Sequence, residues 1–484
     1  MTTLHQKTTS ATKWSALDVF MRQGVQFVVT IVLARILAPE DFGVIAMLAL
    51  FIGVASIFID SGFSSALIQR QNITRTDEST VFFFNLGMGA ITALLLCAAA
   101  PWIAAFFKQP VLQNLTYAMA FSLFVGAFGS IHGILLAKEL NFKTTAKVGI
   151  VSSVVAGALA IYMASQGYGV WSLAGNSVMS SIITVLLLWK WHPWRPTWTF
   201  SLASLRSFFR FGGYSMAATL LDVFSTNLYL ILIGKMYSAR DVGFYDRAQR
   251  TQQLPITLMM NIINRVAYST FASVADDKAR LVRGLRQAQA ISMFVNIPIL
   301  VGIIILAEPL VLTLFGAQWL PSVPILQVLG LGGLIWPLHV LNLNILKAQG
   351  HSDLNFRLAI FKKVFSISLT VAASFYGIMA IAWMQVVISI LGYFANTHYT
   401  KVLLSYSGWK QLSDLAMNFV AVIPMAVVVY LVNDMINASP PIKLISASIL
   451  GCGIYFLTCR LLCTELLNEV LMLSGLRARF FQPK

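Results

Sequence analysis

The chain has 484 residues, 58% of them hydrophobic and only 11% charged, with a formal net charge of +16. Soluble domains carry about 25% charged residues, so most of this surface is not built for water and an ordinary soluble domain is excluded. The basic excess invites a nucleic-acid partner, but its distribution along the chain gives another account.

Residues 1–13 (MTTLHQKTTSATK) are polar and carry no apolar core or small-residue cleavage site. No secretory signal is expected there, and the first apolar segment is expected to remain as a spanning helix. Apolar runs of about 20 residues, the length that crosses a ~30 Å hydrocarbon core, then recur at about 14–37, 42–66, 80–107, 113–137, 146–166, 169–190, 211–235, 241–274, 287–307, 322–346, 355–376, 378–404, 412–433 and 442–463. The expected fold class is an all-α integral membrane protein with about 14 transmembrane helices. With the N-terminus in the cytoplasm, cytoplasmic segments hold 25 Lys and Arg, against Arg35, Lys108, Lys235, Arg240 and Lys443 in periplasmic ones, and four arginines stay inside spans. This positive-inside bias explains the basic charge by topology and places both termini in the cytoplasm.

The chain repeats itself weakly. Arg35-Ile-Leu-Ala-Pro-Glu-Asp41-Phe-Gly43-Val aligns with Lys235-Met-Tyr-Ser-Ala-Arg-Asp241-Val-Gly243-Phe at an offset of 200. Leu140-Asn-Phe-Lys143 matches Leu354-Asn-Phe-Arg357, and Tyr168-Gly-Val matches Tyr376-Gly-Ile. Each half holds six spans, so the halves share orientation and are expected to be related by an axis along the membrane normal. The expected organisation is an N-lobe over 1–189, a cytoplasmic linker over 190–210, a C-lobe over 211–404, and helices 13 and 14 with a basic tail over 405–484. The linker holds Trp189-Lys-Trp-His-Pro-Trp-Arg-Pro-Thr-Trp198, which reads as an aromatic and basic anchor at the membrane interface. Three of the four cysteines (Cys452, Cys459, Cys463) lie at the last span and read as small apolar residues; no ligand set at metal spacing accompanies them.

An ionisable side chain near the bilayer centre is costly and reads by default as a cavity-lining group. In span 1, Asp18, Arg22, Gln26 and Thr30 recur every fourth residue; in span 7, Ser215, Thr219, Asp222, Thr226 and Tyr229 form a similar stripe. In span 8, Asp246, Arg247, Arg250, Gln253, Thr257, Asn261, Asn264, Arg265 and Tyr268 fall within about a third of the helix circumference, with Pro255 placed to kink it. The candidate substrate-binding cavity is thus lined by Arg22, Arg247, Arg250, Arg265, Asp18, Asp222, Asp246, Gln26, Asn261 and Asn264. Arginine suits phosphate because its planar fork donates paired hydrogen bonds and stays charged; the alternative is internal pairing of Asp18 with Arg22 and Asp246 with Arg250. His132 and His339 read either as proton carriers or as groups bonded to a neighbouring helix. Gly330-Leu-Gly-Gly333 reads as close helix packing, and no phosphate loop of an ATPase occurs.

Ala34-Arg-Ile-Leu-Ala-Pro-Glu-Asp-Phe-Gly43, Ala104-Ala-Phe-Phe107 and Gly243-Phe-Tyr-Asp-Arg-Ala-Gln-Arg250 with Leu254-Pro255 resemble the bacterial polysaccharide exporters of the multidrug/oligosaccharidyl-lipid/polysaccharide superfamily, in particular the colanic-acid exporter branch. The resemblance implies two six-helix lobes with two further helices, alternating access, and a bacterial inner-membrane flippase for undecaprenyl-pyrophosphate-linked repeat units. It also implies a cationic cavity, matched here by Arg22, Arg247, Arg250 and Arg265. The chain departs from the pattern at Ala267-Tyr-Ser269, which lacks a proline often found there. The expected partners are the lipid-linked oligosaccharide, the bilayer, and polysaccharide polymerase or export machinery, with no nucleic acid. No enzyme activity and no cofactor are expected, transport being driven by membrane potential or by a proton or sodium gradient. Two rivals are a drug/cation antiporter of the same superfamily, which wants a net acidic cavity, and a membrane glycosyltransferase or ligase, which wants a large periplasmic domain or an acidic catalytic loop.

Overall fold

The computed structural model describes residues 21–473 except 61, 71, 72 and 275. Among these, every regular element is helical. The order is α1 (21–36), α2 (Pro39–Met47), α3 (Ala49–Asp60), α4 (Phe63–Gln69), α5 (Arg75–Phe107), α6 (Val111–Ala127), α7 (Ser130–Lys138), α8 (Phe142–Ser165), α9 (Val170–Trp191), α10 (Leu202–Met236) and α11 (Ala239–Ser273). Then follow α12 (Lys278–Ile305), α13 (Ala307–Leu314), α14 (Ser322–Gly333), α15 (Trp336–Ala348), α16 (Ser352–Ser374), α17 (Ile378–Leu404), α18 (Gly408–Asp414), α19 (Ala416–Met435), α20 (Pro440–Leu462) and α21 (Thr464–Leu473).

Short polar side chains start many of these helices by taking up N–H groups that have no partner within the helix. Thr74 and Asp77 cap α5 reciprocally, Asn141 accepts from the Thr144 N–H, and Ser201 from that of Ser204. At α12, the Arg280 N–H donates to Asp277 at 3.0 Å, and this bond holds the Asp277 carboxyl below its ordinary range.

The chain is a multi-pass membrane protein. Among the described residues, ten helical segments are long and apolar enough to cross a membrane, and eleven if α6 and α7, bent by 44°, form one span. The fourteen expected spans include three outside this set: spans 1, 8 and 11, which correspond to α1, α11 and α16. The first is described only from residue 21, and the other two carry charged residues along their length. These three spans stand as expectations from the sequence.

The residues group into two compact units, Met1–Gly243 and Phe244–Lys484. In the first unit α6 packs between α5 and α9, α9 packs in turn on α8, and α10 lies against α3, α4 and α5. The stretch 192–201, within the expected linker 190–210, is bound to the first unit. Trp194 is buried and its Nε1 donates to Glu78 at 2.7 Å; the Thr197 N–H donates to Ser79 Oγ and the Ser201 N–H to Thr80 Oγ1, each at 3.0 Å. Arg195 donates to the carbonyls of His192, Trp194 and Trp189. Trp198 is exposed and stacks on Phe83. Helix α10 begins at Leu202, inside the stretch expected to be linker.

In the second unit α12, α14, α15, α16 and α17 pack together, with α19 and α20 paired beside α12. A buried amide network ties α12, α15 and α17 to α18. Gln411 accepts from Gln289 (2.8 Å) and Asn342 (3.0 Å) and donates back to Asn342, whose oxygen also accepts from Thr400. Buried amides bonded to one another in this way favour one packing arrangement, since a slip breaks the bonds and leaves further desolvated groups unsatisfied.

The internal repeat is visible in the backbone. Helix α1 ends at residue 36 and α2 starts at Pro39; α10 ends at Met236 and α11 starts at Ala239, the same break 200 residues on. Asp41 accepts from the Ala38 N–H, and Asp241 accepts from Ser238, whose Oγ takes the Asp241 N–H in return. The second pair also holds: α9 starts after Gly169 and α17 after Gly377, both at positive φ, 54° and 109°. Glycine fits there because it has no Cβ penalty at positive φ.

Candidate functional site

Helix α11 carries the richest polar sequence of any span-length segment, and packing sorts its residues onto different faces. Its first turns are held against α2 through the two repeat-equivalent glycines. A Cβ on Gly43 would overlap the Ala239 carbonyl, and one on Gly243 the Pro39 carbonyl. The two backbones approach this closely only because neither glycine has a side chain.

Beyond Gly243 the helix belongs to the second unit. Ala248, Gln252, Ile256 and Met260, spaced by four, are buried. Ile256 and Met260 cluster with Leu300, and Gln252 lies so close to Gly333 that a Cβ there would overlap its amide nitrogen. This confirms close packing as the role of the Gly330–Gly333 run. Pro255 sits inside α11 without ending it.

Arg250, Gln253 and Thr257 lie along the exposed side of α11. Arg250 is 61% exposed, and its Nε donates to the buried Asp246 carboxylate at 2.6 Å, one turn back. A carboxylate that takes one edge of a guanidinium orients the fork and leaves other N–H donors directed away from the pair. Arg247 is placed differently. It is 5% exposed, with its guanidinium 5.2 Å from the ring centres of both Phe315 and Trp319. Trp319 is itself fully buried and meets Phe244 edge-on. Cation–π attraction is strongest where water is excluded, so Arg247 joins α11 to the segment after α13.

The remaining candidates are distributed as follows. Arg22 and Gln26 are exposed on α1, and Thr219, Asp222 and Thr226 are exposed on α10. Asp18 lies outside the described residues, as do the side chains of Ser215, Asn261, Asn264, Arg265 and Tyr268. Of the ten site residues, the structure brings Asp246 and Arg250 together and separates Arg247 from them beneath aromatic rings. His132 makes no bond to a neighbouring helix: it is fully buried among the rings of Trp189, His192 and Trp194, and neither ring nitrogen has a hydrogen-bond partner among the described residues. His339 does bond across helices, to Ser389 and Asn396 of α17.

Lys362 and Lys363, assigned to cytoplasmic segments, stand inside α16. The rule that singled out the arginines, an ionisable group well inside a span, applies to them equally. The aromatic cover on Arg247 had no local signal, because Phe315 and Trp319 lie more than sixty residues further along the chain.

Comparison with known proteins bears on this arrangement. The family model described as "Polysaccharide biosynthesis protein" matches residues 32–324. The chain is 27% identical over 440 residues to the lipopolysaccharide biosynthesis protein WzxC of Escherichia coli (strain K12), covering 88% of each. It is 26% identical to the teichuronic acid biosynthesis protein TuaB of Bacillus subtilis (strain 168), covering 81% of this chain and 82% of the relative. Among solved structures it is similar to the lipid II flippase MurJ in an inward closed conformation, with a TM-score of 0.76, 15% identity, and coverage of 93% of this chain and 99% of the other. An inward-facing multidrug resistance transporter of the MATE family matches with a TM-score of 0.63 and 17% identity over 80% of this chain and 96% of the other.

Proposed function

Because the chain belongs to the polysaccharide biosynthesis protein family, we propose that it moves lipid-linked oligosaccharide units across the bacterial inner membrane for surface polysaccharide assembly. The observation that carries this reading is the exposed polar line of α11, in which Arg250 presents an oriented guanidinium beside Gln253 and Thr257. A polar line with a charge, in a helix of this length, is suited to a water-filled cavity and not to lipid. A guanidinium held by Asp246 on one edge suits a pyrophosphate on the others, and neutral amide and hydroxyl groups beside it suit sugars.

In this reading the head group of an undecaprenyl-pyrophosphate-linked unit enters from the cytoplasmic leaflet while its polyprenyl tail stays in lipid. Two six-helix lobes, related as the repeat suggests, rock to expose it to the periplasm. Export of negative charge from a negative-inside cell gains ~2.3 kcal/mol per charge per 100 mV. Both termini lie in the cytoplasm, and a polysaccharide polymerase takes the product on the periplasmic side.

The test is a set of variants at matched protein level, with surface polysaccharide as readout. Arg250→Ala is expected to lower export at least tenfold while the protein stays inserted and stable. Arg250→Lys restores it only in part, because lysine keeps the charge and loses the fork. The double variant Arg250→Ala with Asp246→Ala removes both charges; near-normal export from it overturns the phosphate role of Arg250.

A further inference from the structure

The second unit holds another buried polar cluster, away from the exposed face of α11, in which each hydrogen bond fixes the next. Lys362 of α16 donates to Asn396 Oδ1 at 2.7 Å. An ammonium group has donors only, so the amide oxygen of Asn396 must face it and the amide nitrogen must face the other way. That nitrogen lies 3.0 Å from His339 Nδ1, which is therefore an acceptor, and the imidazole carries its hydrogen on Nε2. Nε2 lies 3.4 Å from Ser389 Oγ, whose own hydroxyl is spent on the Gly332 carbonyl at 2.9 Å. Asn396 is fully buried and His339 nearly so. Gly392 leaves the room: a Cβ there would press on His339 Cε1 at 3.3 Å and approach Lys362 Cδ at 3.9 Å.

One carboxamide thus stands between two titratable groups and can accept from only one of them. With Lys362 charged, His339 faces an N–H and stays neutral. With His339 protonated on Nδ1, the carboxamide must turn over so that its oxygen accepts from the imidazolium. Its nitrogen then faces Lys362, which is satisfied only as the neutral amine, whose lone pair accepts. Both arrangements keep the carboxamide bonded on its two sides and both hold a single positive charge.

We propose that Lys362, Asn396 and His339 form a proton-binding site in the second unit, holding one positive charge at a time and exchanging one proton in each transport cycle. Lys362 gives its proton to water on one side of the membrane and, as the carboxamide turns over, His339 takes a proton at Nδ1 from water on the other; on return both residues exchange with water on a single side, so one proton crosses per cycle. The groups around the pair leave this balance to the two residues themselves. Tyr393 of α17 meets His339 edge-on but donates its hydroxyl to the Gly408 carbonyl, and Arg286 of α12 is paired with Asp414. On α16 the neighbouring charge is Lys363. Among the described residues no carboxylate forms an ion pair with Lys362 or His339.

The link to transport rests on the translocation reading above; the site itself does not. The site is tested on the purified full-length protein by nitrogen NMR of its histidine rings. Wild type is expected to show His339 as the neutral Nε2–H form through the neutral range. In Lys362→Gln, which frees the carboxamide to turn over, His339 titrates at least one pH unit higher. If that variant does not fold, Asn396→Asp serves: its carboxylate accepts from both sides and also raises the His339 titration. An unchanged His339 titration in either folded variant overturns the site.

The transport link is tested in proteoliposomes with a fluorescent undecaprenyl-pyrophosphate oligosaccharide. One proton per cycle shifts the accumulation ratio about tenfold per unit of imposed pH gradient. Lys362→Arg, which stays protonated, is expected to lose that response. A response retained in Lys362→Arg overturns the coupling. Failure of wild type to move the lipid overturns the translocation reading, while the histidine titration still decides the site.

Discussion

The α1–α2 corner and the α10–α11 corner share one backbone plan and differ in chemistry. Both break and restart at the same positions 200 residues apart, each with an aspartate at its cap and a glycine two residues later. Position by position, however, Arg22 corresponds to Asp222, while Ala46, Met47, Leu50 and Gly53 correspond to Asp246, Arg247, Arg250 and Gln253. In the first corner the second helix is apolar, and Gly53 meets Val223 of α10 at close range. In the second corner that helix is charged and exposes Arg250 and Gln253. The residues retained in both copies are those the backbone needs to turn and approach; those that differ are free to carry ligand chemistry.

The comparison can be broken first at the shared part. Gly43→Ala and Gly243→Ala each place a methyl group on a backbone carbonyl, where no side chain can move aside. Each is expected to cost at least ~3 kcal/mol, read as a large loss of thermal stability and of inserted protein. Normal stability in either variant would show that the two corners do not need this close approach.

The next largest effect belongs to Arg247. Arg247→Ala removes a buried cation from beneath Phe315 and Trp319 and is expected to cost about 2–3 kcal/mol, whereas Arg250→Ala leaves stability within ~1 kcal/mol. Denaturation of the two purified variants side by side separates packing from ligand binding, and equal losses would erase the distinction.

The differing part is sharpened by charge reversal at equivalent positions. Arg22→Asp and Asp222→Arg, both exposed, are each expected to lower export about tenfold while stability changes by no more than ~0.5 kcal/mol. Export equal to wild type in both would remove Arg22 and Asp222 from substrate handling. The smallest effect is expected at Gly24, where a Cβ would meet nothing within 4 Å. Gly24→Ala should match wild type in export and within ~0.5 kcal/mol in stability.

Much of this plan is legible in the sequence because membrane spans and internal repeats leave one-dimensional signals. Length and apolarity mark the spans, and the Asp41–Gly43 and Asp241–Gly243 matches mark the corners. Helical periodicity also puts Arg250, Gln253 and Thr257 on one side of α11. It put Arg247 with them too, and here it failed, because which part of a polar arc is covered depends on residues distant in the chain. Phe315 and Trp319 are such residues, and no spacing rule connects them to Arg247. Lys362 was missed for a different reason: a charge count by topology assigns every lysine to a side, and so conceals one placed within a span. Nothing in the anchor reading of 189–198 pointed to the bond from the Trp194 indole nitrogen to Glu78; Trp198 of the same stretch is exposed.

The binding of residues 192–201 to the first unit has a consequence for how the chain is made. The partners that tie this strap to α5 and α9, namely Glu78, Ser79, Thr80 and the Trp189 carbonyl, are synthesised before the strap itself. The glycine crossing is likewise complete once Gly243 has emerged. The first unit can therefore close on itself while the ribosome is still adding Phe244–Lys484, a stretch that takes roughly ten to fifty seconds at ~5–20 residues per second. During that interval the cell holds a finished half that already contains α10 and the first turn of α11, so the second half begins its assembly from a helix whose start is already fixed in place.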